Sequence, residues 1–210
     1  MSFYNPSSFR VGDSTELLAF IEANPLATVI SSKGGDTFVS HLPMVARKAG
    51  EGFTLNSHFS KSNPHLSICH EVSEVYLVFQ GVSSGVTPTL YGGPGVPTWN
   101  YSVVHAKGTL RFLDGEEFDI ALEEMTRHFE DKRGSSFTST SNDPYVVSMK
   151  RGIEVIEVTI SEIEGKFKLS QNRPREDRMA VANFFEQSND LQDRRTAAEM
   201  VRVNDLQLGD

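Results

Sequence analysis

Between Leu26 and His58 the chain has to reverse direction again and again. The runs Leu26–Ser32, Asp36–Val45 and Gly52–His58 have strand character, and only Gly34-Gly35 and a Lys48–Gly52 turn separate them. Strands this close, joined by tight turns, predict an antiparallel meander of the kind that closes into a barrel. The rest of the chain must fit around that core.

Upstream, Asp13-Ser-Thr-Glu16 has the spacing of a capping box, and Leu17, Leu18, Phe20 and Ile21 continue it as a helix that Pro25 ends. Downstream, Asn63-Pro64 starts a short helix within Phe59–His70. Glu74–Gly81 is the next strand, and Val82–Tyr91 reads as a looser polar segment. A glycine-rich turn, Gly92-Gly-Pro-Gly95, leads into Val96–Gly108, whose strand is expected to run to about Leu113. Tyr101, Val103 and His105 should face one side of it and Ser102, Val104 and Ala106 the other. Asp114 opens a helix with Phe118, Leu122, Met125 and Phe129 on one stripe, failing near Arg133-Gly134. Ser135–Asp143 is polar and expected to be a flexible loop, and Ile153–Ile163 a further strand. After Lys166–Arg173, Pro174 opens another helix, and Asp190–Val203 forms a last one. The expected fold class is α+β, with one barrel-like domain over residues 1–173. A helical C-terminal arm, residues 174–210, should pack on the same domain.

The formal charge of −8 over 210 residues argues against a partner read through its phosphate backbone, so direct DNA binding is not expected. No helix-turn-helix with a basic second helix is visible either. Cys69 is the only cysteine, which excludes a disulfide framework and a cysteine-based zinc site. The opening Met-Ser-Phe-Tyr-Asn-Pro has neither a basic start nor an apolar core, so no signal peptide is expected. The apolar runs Leu26–Ile30 and Val75–Phe79 are strand-sized and too short to span a membrane. A cytoplasmic location is therefore expected. The six histidines show no ligand spacing, and no metal site is expected.

Three places could carry chemistry. Trp99, the only tryptophan, stands with Asn100 where a loop enters a strand, a usual position for a planar ligand; it could equally anchor the core. Ser60-Lys61-Ser62-Asn63-Pro64 offers hydroxyls, an ammonium and a helix start, either a phosphate cradle or an ordinary cap. Lys166-Phe-Lys-Leu-Ser-Gln-Asn-Arg173 gathers cations and amides in an acidic chain, either to hold a carbonyl-rich or phosphorylated ligand or as a solvated connection. No Walker loop, dinucleotide fingerprint or nucleophile elbow is present.

Taken together the segments resemble the PaiB-type proteins, the FMN-binding negative transcriptional regulators. The resemblance rests on Ser40-His-Leu-Pro43, Ser57-His-Phe-Ser-Lys-Ser-Asn-Pro64, Val78-Phe-Gln-Gly81, Val96-Pro-Thr-Trp-Asn-Tyr-Ser-Val-Val-His105 and Lys168-Leu-Ser-Gln-Asn-Arg173. The opening Phe3-Tyr-Asn-Pro-Ser-Ser-Phe9 matches too.

That resemblance implies a split barrel of the flavin-reductase and pyridoxamine-oxidase kind, a homodimer with FMN at its interface. It sets Ser57, His58, Ser60, Lys61, Ser62 and Asn63 by the phosphate, with His41, Leu42 and Pro43 beside the ring or ribityl chain. Gln80, Trp99, Asn100, Lys168, Gln171 and Arg173 complete the expected cofactor-binding set. Thr89-Leu90-Tyr91 stands where the family often has Ser-Trp-Tyr, so the shape of the ring-side pocket is not carried over. Nor is pyridoxamine-phosphate oxidase activity, whose arginine-histidine signature is missing. No catalytic residue is assigned. Two other readings remain: a flavin-dependent reductase or oxidase, and a haem-binding or haem-degrading barrel using His41, His58 and His105.

Overall fold

The computed structural model describes residues 3–50 and 52–207. The outer limits of the two expected segments, the opening Met-Ser and the centre of the Lys48–Gly52 turn lie outside the described residues.

Eight strands form the sheet: β1 (Arg10–Val11), β2 (Leu26–Lys33), β3 (Asp36–Pro43), β4 (Val45–Ala49), β5 (Gly52–Ser60), β6 (Glu74–Val86), β7 (Thr98–Leu113) and β8 (Ile153–Lys168). Their order is β3-β2-β6-β7-β8-β5-β4, with β1 added on β8. The helices are α1 (Ser14–Ala23), α2 (Pro64–Cys69), α3 (Gly115–Glu130), α4 (Pro144–Lys150), α5 (Arg175–Glu186) and α6 (Leu191–Asn204). Among the described residues no helix is long and apolar enough to cross a membrane.

The meander forms as its turns dictate. Gly34 and Gly35 both take positive φ, and β2 and β3 pair in antiparallel register from Leu26↔Pro43 to Lys33↔Asp36. The expected single strand Asp36–Val45 is in fact two. β3 ends at Pro43, and the Met44 amide turns back to the carbonyl of Pro25, so β4 begins a new strand paired with β5. β6 runs five residues past Gly81 and β8 five past Ile163, where small or charged residues had read as connections.

The chain divides into two compact units, one of residues 1–17, 80–104 and 164–210, the other of residues 18–79 and 105–163. Thus α5 and α6 share a unit with residues 80–104 and 164–173.

In the larger unit, Val29, Leu55, Leu77, Phe59 and Phe79 are fully buried. The α3 stripe lies as expected, with Leu122 and Met125 buried and Phe118 and Phe129 packed on the cluster of Val45, Leu113 and Val155. The polar segment 135–143 is tied down. Glu123 accepts hydrogen bonds from the Ser139 amide (2.8 Å) and hydroxyl (2.7 Å) and from the Thr138 hydroxyl (2.7 Å), and Ser139 is buried. Partial burial alone would raise the Glu123 pKa, but these donors and Arg127 outweigh it and bring it to about 2. A lowered carboxylate pKa adds stability above the unfolded value, and that stability is lost as pH falls from 4.5 through about 2. Glu123→Gln should therefore flatten the fall of melting temperature across that window, measured by scanning calorimetry against pH. An unchanged slope would refute the assignment.

In the smaller unit, α5 packs on α6 through Val181, Ala182, Phe185, Ala197 and Met200. The Ser84 hydroxyl shares a 2.9 Å hydrogen bond with Thr196, so the polar end of β6 is an interior strand.

Candidate functional site

The residues set aside in the sequence fall into two groups, one in each unit.

The group in the larger unit is built on the ends of β3 and β5 and the start of α2. Asn63 caps α2, accepting a hydrogen bond from the His65 amide at 3.0 Å, with Pro64 at the first helical position. Its amide nitrogen donates to Ser40 at 2.9 Å, and Ser40 also bonds the His65 ring at 3.0 Å. His65 is buried between Phe38 and Phe59, which lowers its pKa, and its Nε2 has no partner. Ser57 is fully buried and donates to the Pro43 carbonyl at 2.7 Å, and Leu42 is buried as well. These residues set the shape of the site. Burial also lowers the pKa of His58, while His41 is exposed.

The turn itself differs from the expected backbone cradle. Lys61 N–H donates to Gly152, Asn63 N–H to Ser60 and Leu66 N–H to Asn63, and Pro64 has no N–H. Most main-chain donors are thus committed, and the side chains are left for a ligand. The exposed Ser60 and Ser62 hydroxyls share a hydrogen bond of 2.7 Å. Between them Lys61 is exposed, with no carboxylate partner among the described residues.

The group in the smaller unit is built on β7, the end of β8 and the turn after it. Trp99 is 59% exposed, with its ring over Gly85, and so does not anchor the core. Asn100, by contrast, is fully buried: its Nδ2 donates to Met200 Sδ (3.2 Å) and its Oδ1 accepts from Ser170 (3.1 Å). Gln171 is likewise occupied, accepting from the Leu169 amide and donating to the Phe167 carbonyl. Asn100 thus holds Ser170, which has φ 68°, while Gln171 ties down the backbone just before it. Lys168 donates to Thr98 Oγ1 at 2.8 Å and to the Trp99 carbonyl at 2.5 Å. Burial, then Lys166 and Arg173, hold its pKa below the usual lysine value. Arg173 stacks on Tyr91 with its guanidinium 4.1 Å from the ring centre and donates to the Pro94 carbonyl. Gly95 makes this fit possible, since a Cβ there would lie 2.4 Å from the Tyr91 ring. Gln80 is exposed on β6.

Sequence reasoning missed Ser40, His65, Tyr91 and Tyr101 as parts of these groups. The two-residue period of a strand was an available signal for one of them: Tyr101 stands two after Trp99. Among the histidines, His105 bonds the Tyr76 hydroxyl through Nδ1 at 2.5 Å. Among the described residues no three His, Cys, Asp or Glu gather as a metal site would need.

Residues 3–162 match the family described as "Putative FMN-binding domain". The chain is 28% identical to the protease synthase and sporulation protein PAI 2 of Bacillus subtilis (strain 168), over 85% of this chain and 86% of that one. Among solved structures, it superposes on the FAD and haem binding protein from Mycobacterium smegmatis with a TM-score of 0.61, at 14% identity, covering 81% of this chain and 78% of that one. The flavocytochrome Anf3 from Azotobacter vinelandii gives 0.58 at 16% identity, over 80% and 74%. At such identities these structures establish a shared fold, the split barrel.

Proposed function

The chain belongs to the FMN-binding domain family of PaiB-type split-barrel proteins, and from that premise we propose that FMN is its flavin, bound non-covalently with the phosphate on Ser60, Lys61 and Ser62. The observation that carries this reading is the Lys61 ammonium, unneutralised between two hydroxyls in a turn whose main-chain donors are mostly committed. A phosphate dianion needs a cation and several donors, and those side chains supply both. Asn63, Ser40 and His65 orient the turn, and Ser57 fixes the carbonyl of Pro43 beside it. FMN, when bound, supplies one- and two-electron redox chemistry, while these residues bind and position it. No substrate is assigned.

The working unit in this reading is a homodimer that FMN stabilises. Support comes from the family, and from β3 and β4 as strand edges that a second chain could cover. Purified protein, denatured and its released flavin identified chemically, tests the cofactor; riboflavin or FAD in place of FMN would overturn it. If FMN binds the dimer and not separated chains, a 100-fold excess over Kd should add about 2.7 kcal/mol and suppress dissociation on dilution. Light scattering that finds a flavin-saturated monomer would refute the dimer.

A further inference from the structure

A gap opens in the sheet of the larger unit. The β2–β6 ladder stops at Ile30↔Tyr76, although β2 continues to Lys33 and β6 reaches back to Glu74. The next antiparallel pairs would be Ser31↔Val75 and Ser32↔Glu74, and neither forms. A cavity of about 120 Å³ lies at these strand ends, bounded also by Val72 after α2 and by Lys107 of β7. A water takes about 30 Å³ of liquid, so the cavity has room for about four waters or one molecule of that bulk.

Its walls are of two kinds. Ile30, Val72 and Val75 are apolar, and Ser31 is buried with its hydroxyl 3.9 Å from the Cys69 sulfur, a weak partner. The charge is confined to one pair. Glu74 and Lys107 meet at 2.7 Å, and no other carboxylate or ammonium among the described residues lines the cavity. Lys33 and Glu71, next in the chain to the lining residues Ser32 and Val72, pair with each other. The cavity is therefore neutral overall, with both signs of charge at one place.

That combination selects by charge. An anion would draw Lys107 from Glu74 and leave the carboxylate without its partner, and a cation would do the converse. A molecule carrying both charges satisfies both groups at once. Its carboxylate takes Lys107 N–H donors that the Glu74 pair leaves over, and its ammonium takes the second Glu74 oxygen. One carbon separates the two charged groups of an α-amino acid, which suits partners held 2.7 Å apart. The apolar wall then receives the side chain, and the volume limits it to a small one.

We propose that this cavity is a binding site for a small zwitterion, an α-amino acid of about the size of alanine. None of its residues is assigned to FMN, so the two readings stand or fall separately. Glu74 and Lys107 are partly open to water, which screens them, and the affinity should be modest, with a Kd of about 0.1–10 mM.

Amide NMR spectra of the ligand-free protein, titrated at constant pH and ionic strength, test the site. The probes are L-alanine, propionate (the carboxylate alone) and ethylamine (the ammonium alone). Alanine should give saturable shifts centred on Ser31, Ser32, Val72 and Glu74, with the other two at least about tenfold weaker. Lys107→Met and Glu74→Gln should each weaken alanine at least about fivefold, and Val72→Phe, which fills the cavity, should abolish its binding. Should one variant fail to fold, the other two decide the matter. Propionate or ethylamine binding as tightly as alanine would overturn the site. So would alanine shifts that do not saturate or that centre elsewhere, or an alanine affinity that the variants leave unchanged.

Discussion

Lys61→Ala should bind FMN about 10- to 150-fold more weakly than wild type, a loss of about 1.5–3 kcal/mol, while riboflavin affinity stays the same. The size follows from removing one charge-assisted contact to the phosphate, and its selectivity from what riboflavin lacks. Lys61 is exposed and has no ion pair among the described residues, so the substitution should leave the melting temperature of the ligand-free protein within about 1 °C. Its main-chain N–H still donates to Gly152, which keeps the turn in place. Ser60→Ala and Ser62→Ala should each cost less, because either hydroxyl can still donate once their mutual bond is gone. Equal losses for FMN and riboflavin would mean that Lys61 supports the fold and not the phosphate.

Gly108→Ala should lower stability by about 3 kcal/mol, roughly 6–12 °C in melting temperature for a chain of this size. A Cβ at that position would fall 2.5 Å from the Thr159 carbonyl oxygen and 2.7 Å from Val158 Cγ1. A backbone oxygen cannot swing aside, so β7 or β8 has to move. β8 is pinned on its other side, where Val158 and Thr159 face Leu55 and Thr54 of β5. The strain therefore spreads into the core that holds Leu55 and Val158. Gly93→Ala is the control: nothing lies within 4 Å of its added methyl, so it should stay within about 0.5 kcal/mol of wild type. Chemical denaturation of both variants checks this, and a Gly108→Ala protein as stable as the control would contradict the packing described.

Local signals read well from the sequence. Asp13 and Asn63 cap the helices whose starts they mark, and β7 alternates buried and less buried positions along its length. What stayed hidden depends on partners far along the chain. Ser84 looks like loop, yet it is interior because Thr196, 112 residues away, bonds its hydroxyl. Pro43 ends a strand only because Met44 finds the carbonyl of Pro25. Segment 135–143 looks flexible until Glu123 gathers its donors, and α4 was not anticipated at all. At the site, residue types pointed to phosphate chemistry, but not to which donors were free. Committed main-chain N–H groups and the buried amides of Asn100 and Gln171 are matters of geometry. Trp99, at a loop entry, could equally have faced a ligand or anchored the core, and only its packing settles that it is exposed.

Whether the Ser60–Ser62 turn holds the phosphate of FMN is decided by calorimetric titration of ligand-free wild-type protein with FMN and with riboflavin under identical conditions. The phosphate contacts should make FMN bind at least about tenfold more tightly, and Lys61→Ala should remove most of that preference. Equal affinities for FMN and riboflavin in wild type would contradict it.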